Sequence, residues 1–509
     1  MPTTLTIVDL GLVLLGVFLL QRAFGRKRSG PLPPGPKGLP VIGNVLDMPT
    51  AHEWETFATW GERWGDIMSV NLLGQTMVIL NSPKLAFDML DKKSSIYSDR
   101  PTLTMGGELA GWDRTLALLR YGNVFRETRR LLSQLIGSRK HLEKFHGHLE
   151  TETRKFLYRL MRHPDNVGKQ VRKTAGAIIL MMSHGYKIQE EDDPIINTVD
   201  EAVDQFSKST APGAFLVDVF PILKYVPAWM PGTAWKQKAA QWRAKIEEMC
   251  DLPFNYTKQQ MAAGTAKPNF VSTALEESEG LERERIVKNA ASSLYSGGAD
   301  TTVSAICTFF LAMTCFPEAQ KKAQEEIDSV IGTDRLPTIA DRERLPYVNA
   351  LCKEVLRWNP VAPLGVPHRL SEDDVHDGYF IPKDSIVIAN IWKFLHDSQL
   401  YTNPFEFNPD RFIAQPGKEI EQDPRDFVFG FGRRICPGLY LADTSVFLSC
   451  AMSLAAFNIS KVVEDGKAIE PVIEYSSGTI SHPAPFPCSI KPRSAKAESL
   501  ILHEYAESE

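Results

Sequence analysis

From about residue 120 to 350 the chain reads as one helical segment after another, and this limits its fold more than any other feature. Good helix formers dominate Arg139 to Arg162, Trp235 to Phe254 and Pro317 to Ile331. Strand signals are short by comparison. Ile67-Met-Ser-Val-Asn-Leu72 and Gln75-Thr-Met-Val-Ile-Leu80 read as paired strands about Leu73-Gly74. Further β runs fall at Asp377 to Ala389 and near the C-terminus. The pattern predicts a mainly α, α+β fold with a small sheet contributed largely from the two ends. No internal repeat is visible. A chain of 509 residues exceeds the usual size of one hydrophobic core. No linker is evident after Gly43, so residues 44–509 are expected to form one large domain.

Charge excludes one class of partner. With a formal net charge of −5 and no long basic run, nothing in the chain would track the phosphates of a nucleic acid. The seven cysteines are scattered without a paired framework, which fits a reducing compartment.

The N-terminus points to a membrane. Leu5 to Leu20 is apolar apart from Thr6 and Asp9, and Arg22, Arg26, Lys27 and Arg28 follow it. A helix of that length spans roughly 24 Å, short of a typical hydrocarbon core of about 30 Å but tolerable in a thin bilayer. Basic residues on the C-terminal flank place the body of the protein in the cytosol. A cleaved signal peptide would carry them on the other side. Asp9 opposes insertion by up to a few kcal/mol. Residues 1–28 are therefore expected to be an uncleaved single-pass anchor. Residues 29–43, with Pro31-Leu-Pro-Pro-Gly-Pro-Lys-Gly-Leu-Pro40, read either as a disordered linker or as a stiff proline-rich hinge. Ala211 to Phe220 and Ala228-Trp-Met-Pro231 set large apolar groups between helical regions. Either the loop is buried, or Phe215, Trp229 and Met230 give the body a second contact with lipid.

Chemistry concentrates in Phe429-Gly-Phe-Gly-Arg-Arg-Ile-Cys-Pro-Gly438, directly ahead of the helix-compatible run Leu439 to Leu454. Cys436 precedes a proline that can occupy the first helical turn, so its sulfur would face free N–H groups that favour thiolate. Gly432 and Gly438 permit backbone angles closed to other residues and close approach by a flat ligand. Arg434 offers a fork for a carboxylate. A lone intracellular cysteine is more often a small buried hydrophobe. Zinc is disfavoured because no Cys/His cluster surrounds Cys436. A thiolate, a close-approach loop and an anion clamp together suit haem iron held through sulfur.

A second segment, Ser296-Gly-Gly-Ala-Asp-Thr-Thr302, interrupts a long helix expected from Glu284 to Phe316. Adjacent glycines cost a helix about 1 kcal/mol each. Gly297 and Gly298 would let a planar macrocycle lie against it, with Asp300 and Thr301 as an acid and a hydroxyl for proton delivery. Thr301 could instead bond back to the carbonyl four residues earlier and merely bend the helix. In a third segment, Glu354 and Arg357 share a helix face made largely apolar by Leu351, Val355 and Leu356. They form either a surface pair of little worth or a buried pair that needs further partners. Arg411, in Phe407-Asn-Pro-Asp-Arg-Phe412, is a candidate for one.

These segments, in this order, resemble the cytochromes P-450. Phe429, Gly432, Arg434, Cys436 and Gly438 match the haem signature Phe-x-x-Gly-x-Arg-x-Cys-x-Gly. Gly297 to Thr301 resemble the oxygen-activation motif, and Glu354, Arg357 and Arg411 the Glu-x-x-Arg and Pro-x-Arg-Phe network, which has a structural role. The resemblance implies haem b with Cys436 as the axial ligand. It also implies propionate contacts from Arg129 and His368 besides Arg434, with Phe125 replacing the tryptophan usual four positions before that arginine. Arg126 and Arg130 would be solvated or docking charges. The implied activity is insertion of one oxygen atom from dioxygen into an apolar small molecule. Electrons would come from NADPH through a cytochrome P-450 reductase, with cytochrome b5 as an optional second donor. Residues Thr102 to Leu119, Ala291 to Thr302, Val361 to Val366 and Ser476 to Thr479 would line the pocket. The style is that of microsomal enzymes of fungal secondary metabolism acting on a terpenoid, polyketide or aromatic compound, at the endoplasmic reticulum. The rivals are a haem-thiolate isomerase or dehydratase, disfavoured by the presence of Asp300 and Thr301, and a non-catalytic haem binder.

Overall fold

A computed structural model describes residue 16, residues 30–210, 214–277 and 280–507. The expected anchor at residues 1–28 lies, but for Gly16, outside the described residues. The chain packs as two compact units. The smaller holds the described residues up to Pro101 with Leu364–Lys393 and Phe431–Arg434, and the larger holds the rest.

The smaller unit is organised by a four-stranded sheet. Strands β1 (Ile67–Leu72) and β2 (Gln75–Leu80) pair antiparallel with Ile67 opposite Leu80, as their alternation predicts. Leu73 and Gly74 both have positive φ (53° and 93°), the geometry of a two-residue hairpin turn whose twist suits paired strands. β3 (His368–Arg369) and β4 (Ile386–Ala389) complete the sheet in the order β1-β2-β4-β3, with β2 and β4 parallel. Phe57, Met68, Val70, Met77, Ile79 and Ile388 form the unit's apolar core. The sheet thus joins an early hairpin to strands that arrive some three hundred residues later.

The larger unit is helical. Its site-bearing elements are α1 (Asn123–Ile136), α2 (Val167–His184), α3 (Ala234–Ala262), α4 (Leu281–Ala299), α5 (Thr301–Cys315), α6 (Pro346–Trp358) and α7 (Leu439–Ala456). The long helix expected from Glu284 is therefore two helices, broken at Asp300 (φ −110°, ψ −37°). α3 continues past the expected end at Phe254 and carries Pro253 inside it. The Arg139 to Arg162 run is also divided, because a short 3-10 turn at Glu143–Phe145 precedes the main helix His146–Arg162. α7 is apolar almost all round and buried almost all round, as a central core helix must be. The α4–α5 segment and α7 are long and apolar enough to cross a membrane, yet both are mostly buried within the protein.

Candidate active site

The cysteine loop closes on itself. The Cys436 N–H donates to the Phe429 carbonyl at 2.7 Å, so the two ends of the signature are joined by backbone. Pro437 falls before the N-cap Gly438 and not in the first turn of α7. The Gly438 and Leu439 N–H groups nevertheless favour the thiolate, as the helix start predicts, and Arg129 acts in the same direction. Loss of solvent around the sulfur outweighs them and pushes the thiol pKa up. An iron bound at sulfur would reverse that balance.

The glycines divide by role. Gly432 sits at φ +54°, and a Cβ there would lie 2.3 Å from the Leu90 carbonyl oxygen, so chain packing explains this glycine. Gly438 has φ −90°, an angle open to any residue. A Cβ on it would lie 3.8 Å from the Cys436 sulfur, so glycine leaves space beside that atom. Gly298 turns towards Ile179 of α2, where a Cβ would come within 2.4 Å, and close helix packing accounts for it. Gly297, alone among these four glycines, faces open space.

Thr301 Oγ1 donates to the Gly297 carbonyl at 2.7 Å, the helix-bending bond foreseen as one of its two readings. Asp300 is buried and doubly held: Arg172 Nη1 of α2 lies 2.7 Å from Oδ1, and His482 Nε2 lies 3.0 Å from Oδ2. Burial opposes ionisation here, but the hydrogen bond from His482 and the charge of Arg172 prevail and hold the carboxyl below its usual range.

Arg129 on α1 donates through Nη1 to the Ile435 carbonyl, within the cysteine loop, and Phe125 on the same helix is buried against Tyr121. His368, implied as a propionate contact beside the arginines, is pushed towards its neutral form. Its ring is buried, with Nδ1 2.7 Å from the Tyr97 carbonyl, which fixes the proton on that nitrogen. Burial, then the nearby Arg100 charge, holds it neutral. Arg100 is a residue that motif matching missed. It is buried beside Arg434 and donates to the Val366 and Pro367 carbonyls at 2.6 and 2.8 Å. Arg434 donates to the Ser98 carbonyl at 2.7 Å. Burial and then the neighbouring Arg434 charge depress the pKa of Arg100, while the Asp99 carboxylate opposes them.

Glu354, Arg357 and Arg411 come together, fully buried. Arg357 meets Glu354 bidentately at 2.7 and 2.8 Å and also donates to the Leu395, Pro404 and Glu406 carbonyls. Arg411 Nε donates to Glu354 Oε1 at 3.1 Å, and the Asn408 N–H donates to the same oxygen at 2.7 Å.

The residues fit haem held through sulfur. Cys436 is a free cysteine, and no group of three or more His, Cys, Asp or Glu side chains that could hold a metal occurs among the described residues. Any iron there would need its remaining ligands from a macrocycle.

The cytochrome P450 family model matches residues 33–485. Cytochrome P450 monooxygenase 208 of Postia placenta is 63% identical over 505 residues, covering 98% of this chain and 99% of that protein. Cytochrome P450 monooxygenase claR of Ampulloclitocybe clavipes is 49% identical, covering 98% and 93%. Cytochrome P450 monooxygenase ppsD of Aspergillus oryzae is 43% identical, covering 98% and 96%. Likeness of this extent, across almost the whole of each chain, makes this protein a member of the cytochrome P450 family and a monooxygenase.

Proposed function

We propose that this monooxygenase inserts one oxygen atom from dioxygen into an apolar small molecule, with haem b held by the Cys436 thiolate. The observation that carries the reading is the Cys436 loop, with two backbone N–H groups favouring thiolate and Gly438 leaving room beside the sulfur. Bound haem would supply the iron at which dioxygen is activated. Phe429, Gly432, Arg434 and Gly438, with Arg129, Gly297, Gly298 and His368, are proposed as its binding residues from their place in the motifs. Arg100 joins them through its place beside Arg434. His368, being neutral, would serve as a positioned polar group more than as a charge. Thr301 can move its hydroxyl proton from the Gly297 carbonyl towards a reacting oxygen, and Asp300 can hold or return that proton at its carboxylate. Substrate-dependent NADPH consumption with incorporation of labelled oxygen tests the reaction. Cys436→Ala should lose the thiolate-type spectrum of the reduced carbon monoxide complex, and retention of it would refute the ligand.

The physiological setting follows the same reading. Residues 1–28 would anchor the protein in the endoplasmic reticulum membrane, residues 29–43 would be a hinge, and residues 44–509 would form a cytosolic catalytic domain. A flavoprotein reductase would deliver the electrons, with cytochrome b5 as an auxiliary, for a fungal secondary metabolite as substrate. Part of the proposed second lipid contact is exposed: Leu216, Ile222, Tyr225 and Trp229 are 69, 73, 74 and 82% accessible. Met230 is exposed too, whereas Phe215 is half-buried edge-on to Trp242 of α3, so Leu216 and Phe220 take its place. Residues 211–213 lie outside the described residues. Deleting residues 1–28 should leave a protein that still binds vesicles, reversibly and more weakly. A truncated form that is soluble and monomeric without detergent would remove this contact from the proposal.

A further inference from the structure

Asp300 is the buried acid of the proposed site, and its partners decide where its protons come from. One partner, Arg172, neutralises charge but does not release protons near neutrality. The other, His482, belongs to a C-terminal turn built to hold it. The Ser476 N–H donates to the His482 carbonyl at 2.8 Å, and the His482 N–H returns a bond to Ser476 Oγ at 3.0 Å. The adjoining Ser481 N–H donates to the Val361 carbonyl at 2.8 Å, while the Ser481 carbonyl accepts from Ser304 Oγ of α5. Ser304 is one helical turn beyond Asp300, so consecutive residues of the turn grip consecutive turns of the helix segment. An ionised carboxylate only accepts hydrogen bonds, so the 3.0 Å contact requires a proton on His482 Nε2.

Exposure gives the arrangement a direction. The Asp300 side chain is 7% accessible and that of His482 is 26%. The imidazole thus spans from solvent to a carboxylate that solvent scarcely reaches. We propose that His482 is the relay residue that returns protons to Asp300 during turnover. The transfer is balanced. The Nε2–H bond of the imidazolium breaks as an O–H bond forms at Asp300 Oδ2; the neutral ring keeps its Nδ1 proton and regains one at Nε2 from a hydronium ion of the solvent, which is left as water. Asp300 passes its own proton on towards Thr301 and is a carboxylate again. Neither Asp200 nor Cys307, the other titratable groups beside the Asp300–Arg172 pair among the described residues, offers this route. Asp200, whose carboxyl burial pushes up to about 6, meets Arg172 at 3.9 Å, so its path to Asp300 runs through a guanidinium. Burial pushes the thiol of Cys307 up to about 12, beyond exchange near neutrality. Histidine is the side chain that ordinarily gains and loses protons there.

The inference rests on the reading of Asp300 as a proton carrier, and its test separates the two. His482→Gln keeps an N–H donor for Asp300 but cannot exchange a proton. Haem content, the carbon monoxide spectrum and the substrate-induced spectral shift should stay as in the unaltered enzyme. Product per NADPH should fall on the order of 10-fold, with peroxide rising, a smaller loss than the ~10²–10⁴ of a group acting at the reacting atoms. The pH dependence of that ratio should flatten, because the amide carries no exchangeable proton of this kind. Normal coupling with an unchanged pH profile would show that the histidine only positions the carboxylate, and would overturn the proposal. Asp300→Asn with normal coupling sinks both readings. Uncoupling in Asp300→Asn but not in His482→Gln sinks only this one. Independently of turnover, the effects of Asp300→Asn and His482→Gln on the urea unfolding midpoint should be non-additive, and strict additivity would deny the contact itself. If His482→Gln fails to accumulate, His482→Asn carries the same comparison.

Discussion

Glu354 and Asp300 are buried carboxylates of the larger unit that each meet an arginine, and they are built to opposite ends. Glu354 is sealed: its own side chain and that of Arg357 are 0% accessible and that of Arg411 1%. Two guanidinium groups and the Asn408 N–H occupy its oxygens, and the remaining donors of Arg357 end on backbone carbonyls. Asp300 is buried too, at 7%, but its partners are not, since the side chain of Arg172 is 29% and that of His482 26% accessible. A sealed carboxylate has no route for a proton and can only hold elements together. A carboxylate whose partners touch water can exchange one. Burial alone therefore does not separate these two carboxylates, whereas the exposure of their partners does.

The sharpest way to break this contrast is Arg357→Ala. Removing one partner leaves the Glu354 charge buried with one guanidinium, Arg411, and the Asn408 N–H, at a cost of about 3–5 kcal/mol. That is a large share of a typical folding free energy of roughly 5–15 kcal/mol. The expected outcome is little folded, haem-loaded protein, measured as the ratio of haem absorbance to protein and as a lowered unfolding midpoint. A stable variant with normal activity would make the network dispensable and erase the distinction.

Thr301→Ala probes the other region and should act in the opposite manner. The lost bond to the Gly297 carbonyl is a local helix contact, so folding and haem loading should change little. Product formation should fall on the order of 10²-fold, as for a positioned proton donor, while NADPH consumption continues and peroxide accumulates. Unchanged coupling would reduce Thr301 to its helix-bending bond.

These two regions were unequally legible in the sequence. Glu354 and Arg357 are three residues apart on an apolar helix, so spacing alone gives the pair, and a second charged motif supplied Arg411. Likewise the β1–β2 hairpin follows from alternation and the Leu73-Gly74 turn, both local. Asp300 could be read as an acid beside a hydroxyl, but its partners lie 128 and 182 residues away and carry no motif. Nothing local marks Arg172 or His482. The depressed pKa of His368 was hidden for the same reason: it comes from burial and then from Arg100, brought close only by folding, against the opposing bond to the Tyr97 carbonyl. The glycines of the helix were legible as exceptions but not by cause, because only packing shows that Gly298 answers to Ile179 and Gly297 to open space.

The smallest expected effect concerns acid. Asp300 is held below its usual range in the folded protein, while an unfolded chain would protonate it near about 3.9. As pH falls, the unfolded state therefore takes up the proton first. The stabilisation from the ionised pair is complete above about pH 4 and drains as pH drops through the lower folded value. Asp300→Asn should accordingly cost about 1–3 kcal/mol at neutral pH, the worth of a charge-assisted buried bond. Its deficit against the unaltered protein should narrow below about pH 4, where that protein begins to lose the same interaction. Urea midpoints for both proteins across that range measure the narrowing. A deficit that stayed constant into acid would mean that the carboxylate is already protonated at neutrality, and Asp300 would then be sealed in the manner of a structural group after all.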